Sequence, residues 1–130
     1  MKEIKGRFWI EDEGIPLLGE GKIVLLETLL KENSISSAAK AVGISYRKAW
    51  RLLEEMNKLS EEAVIEKSTG GKNGGGTKVT AKGMQYIHEY RSFQKQFRSF
   101  LKAESKELQK RIEAAPSEAV QQEIKAIYEE

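Results

Sequence analysis

Apolar residues recur along this chain with three successive rhythms. Residues 7–10, Arg-Phe-Trp-Ile, are short, aromatic and β-branched and stop at the acidic run 11–14, which predicts a strand followed by a turn. Gly14, Pro16, Gly19 and Gly21 predict a loop next. Ile23, Leu26, Leu29 and Leu30 then fall three and four residues apart, the spacing of one helix face, and predict an amphipathic helix over residues 22–32 that Asn33 and Ser34 break. Ser36 is placed to cap a short helix over 37–42, in which Ala38, Ala39 and Ala41 allow close packing and which Gly43 ends in a left-handed conformation. Ser45 is placed to cap a further helix over about 46–57. Its inner face is assigned to Ala49, Leu52, Leu53, Met56 and Leu59, with Trp50 also expected in the core. Arg47, Lys48, Arg51 and Lys58 fall largely on the opposite side.

The rhythm changes to that of strands at residues 63–68, with 78–80 able to pair back, and Gly70, Gly71, Gly74, Gly75 and Gly76 crowd the connection as a hairpin tip. Thr80 caps a helical pattern with few breakers until Pro116. Along it Tyr86, Tyr90, Phe93, Phe97 and Phe100 repeat at alternating steps of four and three, a heptad-like seam. Helical to Glu113, this element is about 50 Å long at about 1.5 Å per residue. A body this small leaves such a stripe uncovered, so a second copy of the chain is expected over it, and residues 117–128 form a further short helix. The order spells a mainly α fold with a small β-hairpin wing: a winged helix-turn-helix over 1–80, followed by a helical dimerisation region over 81–130.

Composition narrows the picture. The 130 residues, 39% hydrophobic, suit one compact domain with an appendage. There is no cysteine, which excludes disulfides and thiolate metal sites and fits a cytoplasmic protein. The longest apolar run, Ile23 to Leu26, is far too short for a bilayer, and the first nine residues lack a signal-peptide core, so no membrane partner is expected. The net charge is only +2, but it is unevenly spread: residues 1–35 hold 5 basic and 7 acidic side chains, 36–80 hold 8 and 5, and 81–130 hold 9 and 8. Positive charge concentrates in the suspected helix-turn-helix and hairpin, the footprint of a nucleic-acid binder.

The helix beginning at Tyr46 carries cations in its first turn and Glu54 and Glu55 later. A helix macrodipole favours the reverse, by about 0.3–1 kcal/mol per charge. A helix that points its N-terminal end at phosphates has a reason to break that rule. The second helix of such a pair enters the major groove of double-stranded DNA while the first braces it. Ser36, Ser37 and Ser45 offer hydroxyls and free amides where phosphates would lie, and Lys40 adds a charge. Arg47 and Lys48 suit guanine edges or phosphates, and Tyr46 a sugar or phosphate. Arg51 either joins them or pairs with Glu55 four residues on. In the hairpin, Lys72, Asn73 and Lys78 supply donors for a wing touching DNA. A nucleotide loop of the GxxxxGK[ST] type fails, because Asn73 follows Lys72 and no helix starts there. His88, the lone histidine, reads as an exposed helix residue, and no carboxylates pair in a catalytic arrangement. No enzymatic role and no cofactor are therefore expected. Two other roles stay open: a protein-interaction module docking through its aromatic helix, and an oxyanion sensor whose glycine-rich tip cradles the anion.

Several uncommon motifs fall in register with one family. Leu18-Gly-Glu-Gly-Lys22, Ser34-Ile-Ser-Ser-Ala-Ala-Lys40, Gly43-Ile-Ser-Tyr46, Ala49-Trp50, Glu55-Met-Asn57, Ser68-Thr-Gly-Gly-Lys72 and Gly74-Gly-Gly76 resemble the N-terminal DNA-binding domain of ModE-type molybdate-responsive transcription regulators, over residues 4 to about 100. The resemblance implies a LysR-like winged helix-turn-helix that dimerises through the long helix after the wing. It implies sequence-specific regulation, with Ser36, Ser37, Ser45, Tyr46, Arg47, Lys48 and Lys72 at matching motif positions. Full-length members add C-terminal molybdate-binding domains of small β-barrel type, whereas no strand-rich region follows Lys82 here. A member without that sensor is the expectation, and direct molybdate binding is not expected of this chain.

Overall fold

A computed structural model describes residues 1–68 and 76–129. Among them five helices and two antiparallel strand pairs are formed, in the order β1 (Ile10–Asp12), β2 (Ile15–Leu18), α1 (Glu20–Glu32), α2 (Ile35–Val42), α3 (Tyr46–Leu59), β3 (Ile65–Ser68), β4 (Gly76–Val79), α4 (Ala81–Glu113) and α5 (Glu118–Tyr128). This is the winged helix-turn-helix order followed by a long helix. The chain forms two compact units, Arg7–Lys95 and Met1–Gly6 with the chain from Gln96 onward, so the division falls inside α4.

The first strand pair departs from the sequence reading. The strand begins only at Ile10, and the segment after Gly14, expected to be a loop, forms β2. Glu13 and Gly14 both have positive φ, 49° and 85°, and close a two-residue turn between Asp12 and Ile15. Such a turn matches the twist of the strands it joins. Pro16 is tolerated because the sheet has only two strands, so the missing amide breaks no central ladder. Leu17 and Leu18 are thereby delivered to the core.

In the Arg7–Lys95 unit the core gathers Leu18, Ile23, Leu25, Leu26 and Leu29 with Ala38 and Ala39 of α2, Ala49, Leu53 and Met56 of α3, and Val64, Ile87 and Tyr90. α1 is clamped to the start of α4 by charge. The Arg91 guanidinium reaches Glu27 at 2.6 Å and Glu20 at 3.0 Å, and these carboxylates hold it protonated more firmly than an ordinary arginine, against the opposing effect of burial.

The wing is fastened at both ends. The Thr77 amide donates to the carbonyl of Asn33, the left-handed residue that ends α1, at 3.0 Å. The Thr80 amide donates to Val64 O at 3.0 Å, and the Thr80 hydroxyl accepts from the Gly83 amide, capping α4 as its sequence position implied. Gly83 is required here by proximity: a Cβ would sit 2.5 Å from Val64 O and 2.6 Å from a Val79 methyl.

In the other unit, the N-terminal segment runs along the second half of α4. The Lys2 amide donates to Gln109 Oε1 at 2.6 Å and the Ile4 amide to Ser105 Oγ at 2.8 Å, while Gly6 lies close to the Phe97 ring. α5 is capped by Ser117, whose hydroxyl accepts from the Val120 amide.

Replacing a mid-helix glycine by alanine ordinarily stabilises a protein by about 0.5–1 kcal/mol. For Gly83→Ala the opposite sign is expected, a loss of about 1–3 kcal/mol from overpacking against Val64. Denaturant unfolding of the two proteins side by side measures it, and a gain in stability would contradict the close approach.

Candidate nucleic-acid interface

The helix-turn-helix is built by two caps and a glycine. Ser34 caps α2 with extended backbone, its hydroxyl accepting from the Ser37 amide at 3.1 Å. This corrects the assignment of the cap to Ser36: Ile35 is already helical and buried, so Ser36 and Ser37 lie exposed in the first turn. Gly43 ends α2 at φ 86°, its amide and that of Ile44 both returning to Ala39 O. Ser45 then caps α3, accepting from the Lys48 amide at 3.1 Å. A three-residue turn thus separates the two helices.

α3 divides cleanly into two faces. Ala49, Leu53 and Met56 are fully buried, with Leu52 and Leu59 packed at the edge of the core, as the periodicity predicts. Ser45, Tyr46, Arg47, Lys48, Arg51 and Lys58 are exposed, and so is Lys40 on α2. Among the described residues neither Arg47 nor Lys48 forms an ion pair, and the first-turn amides of Tyr46 and Arg47 have no intrahelical acceptor. One end of α3 therefore presents two uncommitted cations, a cap hydroxyl and two backbone donors in one place, a surface suited to a polyanion.

Arg51 is different. Its guanidinium pairs with Glu55 at 2.7 Å, the alternative the spacing had left open. Glu55 also receives the Lys22 ammonium at 3.2 Å, and Lys22, almost wholly buried, donates to Pro16 O at 3.0 Å as well. Partial burial pushes the Glu55 carboxyl up, but hydrogen bonds from Lys22 and Arg51 outweigh it and hold the carboxyl below its ordinary value.

Two residues of this surface escaped the sequence reading. Trp50 was expected in the core and is instead 45% exposed, one turn beyond Tyr46, which is 56% exposed. Ala49 takes the inward position, and a neighbour 100° around the helix points away from it. Asn57 had no role assigned. Its Oδ1 accepts from the amides of Val64 at 2.7 Å and Ile65 at 3.2 Å, so α3 directly holds the first residues of the wing. An amide side chain late in a helix, a few residues before a strand, was the available signal.

In the wing, β3 and β4 pair in register from Ile65 with Val79 to Ser68 with Gly76, which sets exposed Lys78 opposite Glu66. Lys72 and Asn73 lie outside the described residues. On α4, Tyr90 is corrected as a residue awaiting a partner copy: it is 1% exposed within its own chain and stacks on Phe8 with ring centres 4.8 Å apart. Tyr86 is half-buried and donates to Ser60 Oγ at 2.8 Å. Phe97 is half-buried, whereas Phe93 and Phe100 are 50% and 59% exposed. No helix of the described residues is long and apolar enough to cross a membrane.

Comparison with known proteins agrees with this geometry. Over 69 residues, 53% of the chain, it is 46% identical to the DNA-binding transcriptional dual regulator ModE of Escherichia coli K12. The chain is homologous to ModE-type regulators. It is 38% identical over 84 residues to the molybdenum transport protein ModE of Azotobacter vinelandii, and 36% identical over 78 residues to the molybdenum-pterin-binding protein MopA of Rhodobacter capsulatus. These matches cover 53–65% of this chain but span only 26–31% of the ModE and MopA chains. No family model matches it.

The lowered Glu55 carboxyl carries a pH signature. A depressed folded-state value contributes stability that is complete above the ordinary carboxyl range and fades as pH falls through the lowered value. Glu55→Gln should therefore cost stability at neutral pH and flatten the acid limb between about pH 5 and pH 3. Thermal melts across that range measure it, and parallel curves for both proteins would remove Glu55 from the acid response.

Proposed function

We propose that this chain is a sequence-specific DNA-binding transcription regulator that acts in the cytoplasm as a homodimer on a palindromic operator and controls genes of molybdate transport or metabolism. The observation that carries the reading is the pair of exposed, unpaired cations, Arg47 and Lys48, at the N-terminal turn of a helix whose opposite face is locked into the core. The names of the homologues, which specify transcriptional regulation, DNA binding and molybdenum, support it.

In this reading α3 enters the major groove and α2 braces it against the backbone through Ser36, Ser37 and Lys40. Arg47 and Lys48 reach base edges or phosphates, and Ser45, Tyr46 and Arg51 contact the flanking backbone. The wing, with Lys72, Asn73 and Lys78, tracks the adjacent phosphates. Residues 1–80 are the DNA-binding part and 81–130 the dimerisation part, with Phe93, Phe97 and Phe100 as the seam between copies. Two-fold symmetry then spaces the half-sites by one helical turn, about 34 Å, or a multiple of it.

Arg47→Ala should weaken specific binding by about 1–3 kcal/mol if the residue reads a base, and relax preference at that position. Lys72→Ala should weaken binding to all sequences alike and reduce the salt slope by about 1. Titration of labelled duplexes selected from a random pool, repeated at several salt concentrations, reads both effects. Unchanged affinity in both variants would sink the DNA assignment, and binding that ignores salt would favour a protein partner instead.

The seam is tested separately by light scattering at micromolar concentration. The wild type should show twice the 14.7 kDa chain mass, and a variant with Phe93→Ser and Phe100→Ser should dissociate more readily on dilution than the wild type.

A further inference from the structure

Two features of the unit formed by residues 1–6 and the chain from Gln96 onward remain unused by the DNA reading. The first is α5. Val120, Ile124, Ile127 and Tyr128 follow one another at steps of four, three and one, which sets them on a single helix face. They are 53%, 51%, 67% and 78% exposed, and no residue of α5 is buried. A helix of 11 residues is marginal on its own in water, and most helical stability comes from covering an apolar face.

The second is a groove of about 820 Å³ between the N-terminal segment and α4. Ile4 and Leu101 supply apolar surface in it. Its cations are Lys5 and, along α4, Arg98, Lys102, Lys106 and Lys110. Its two acids are already engaged inside the groove, Glu3 with Lys5 at 2.9 Å and Glu107 with Lys110 at 3.5 Å. Arg98, Lys102 and Lys106 are left as surplus positive charge, and among the described residues none of them forms an ion pair.

We infer that α5 of one copy lies in this groove on a second copy, so that two chains exchange their C-terminal helices. Charge decides the occupant. Over residues 117–129 the sequence holds three glutamates and one lysine, a charge of −2, against five basic and two acidic residues in the groove, +3. Pairing α5 with α5 would bring like charges together, whereas the groove offers the opposite sign around an apolar floor. Length agrees as well: α5 is about 16 Å long and the stretch from Arg98 to Lys110 about 18 Å. The exchange uses a surface other than the aromatic seam and does not depend on DNA binding.

Absence of cysteine from the natural chain makes the test direct. One copy carries Ile124→Cys and a second, distinguishable by mass, carries Lys102→Cys; both positions are solvent-exposed, so folding is undisturbed. Mild oxidation of the mixture should give the mixed disulfide at least tenfold above a pair in which exposed Glu61→Cys replaces Lys102→Cys. Lys102→Glu with Lys106→Glu in the groove, the second cysteine then placed at Arg98→Cys, should abolish it. Glu118→Lys with Glu123→Lys on the partner's α5 should restore it.

A mixed product no more abundant than the control overturns the inference. So does a doubly substituted chain that closes on itself at single-chain mass, since that result means α5 folds back onto its own groove. Adding Phe93→Ser and Phe100→Ser to both copies separates the two contacts: the crosslink should persist, because the groove is lined by other residues, and its loss there counts against helix exchange as a contact of its own.

Discussion

Val64 is the point on which the geometry of the Arg7–Lys95 unit turns. Its amide is held by Asn57 from α3, its carbonyl accepts from Thr80 and is closely approached by Gly83 from α4, and its side chain is fully buried. α3 thus meets this residue at its amide, while Thr80 and Gly83 meet it at its carbonyl. The angle between α3 and the wing is set by hydrogen bonds to main chain, which are directional and short, rather than by apolar contact, which tolerates sliding. The Thr77 amide bonded to Asn33 O supplies a second fixed point at the far strand.

The chain sorts its cations by task. Lys22 and Arg91 are spent internally, each against carboxylates that neutralise it, and each binds α1 to another helix. Among the described residues Arg47 and Lys48 form no ion pair, and they sit at a helix N-terminus, where the macrodipole makes positive charge unfavourable. Net charge could not reveal this division, because +2 is the difference between 22 basic and 20 acidic residues and counts a paired cation the same as an unpaired one. The local geometry separates them, and that is why the exposed pair points to a polyanion more strongly than composition does.

Much of this was legible in the sequence where local physics dominates. The Gly43 stop, the Ser45 and Thr80 caps and the inner face of α3 are consequences of neighbours within four residues, and each falls where spacing puts it. Readings failed where distant residues decide. Spacing alone puts the cap at Ser36 and reads Ser34 as a breaker, but the core claims Ile35 for the helix, which moves the cap to Ser34. Trp50 is apolar by composition, but Ala49 already filled the inward position beside it. Tyr90 and Phe93 share one heptad and both lie 4.8 Å from the ring of the N-terminal Phe8, eighty-two positions before Tyr90, yet Tyr90 is 1% exposed and Phe93 50%, a difference that spacing does not carry. β2 hid behind its glycines and proline: the turn at 11–14 is legible from sequence, but a strand running through Pro16 is recognisable only once its partner is known.

The Lys22, Glu55 and Arg51 chain couples the outside of the molecule to its interior. An anion that captures Arg51 strips Glu55 of one of its two positive neighbours and leaves the carboxylate to Lys22 alone. Lys22 is rooted at the Pro16 carbonyl, so one unbroken polar chain runs from the exposed face of α3 through the buried ammonium to the hairpin that precedes α1.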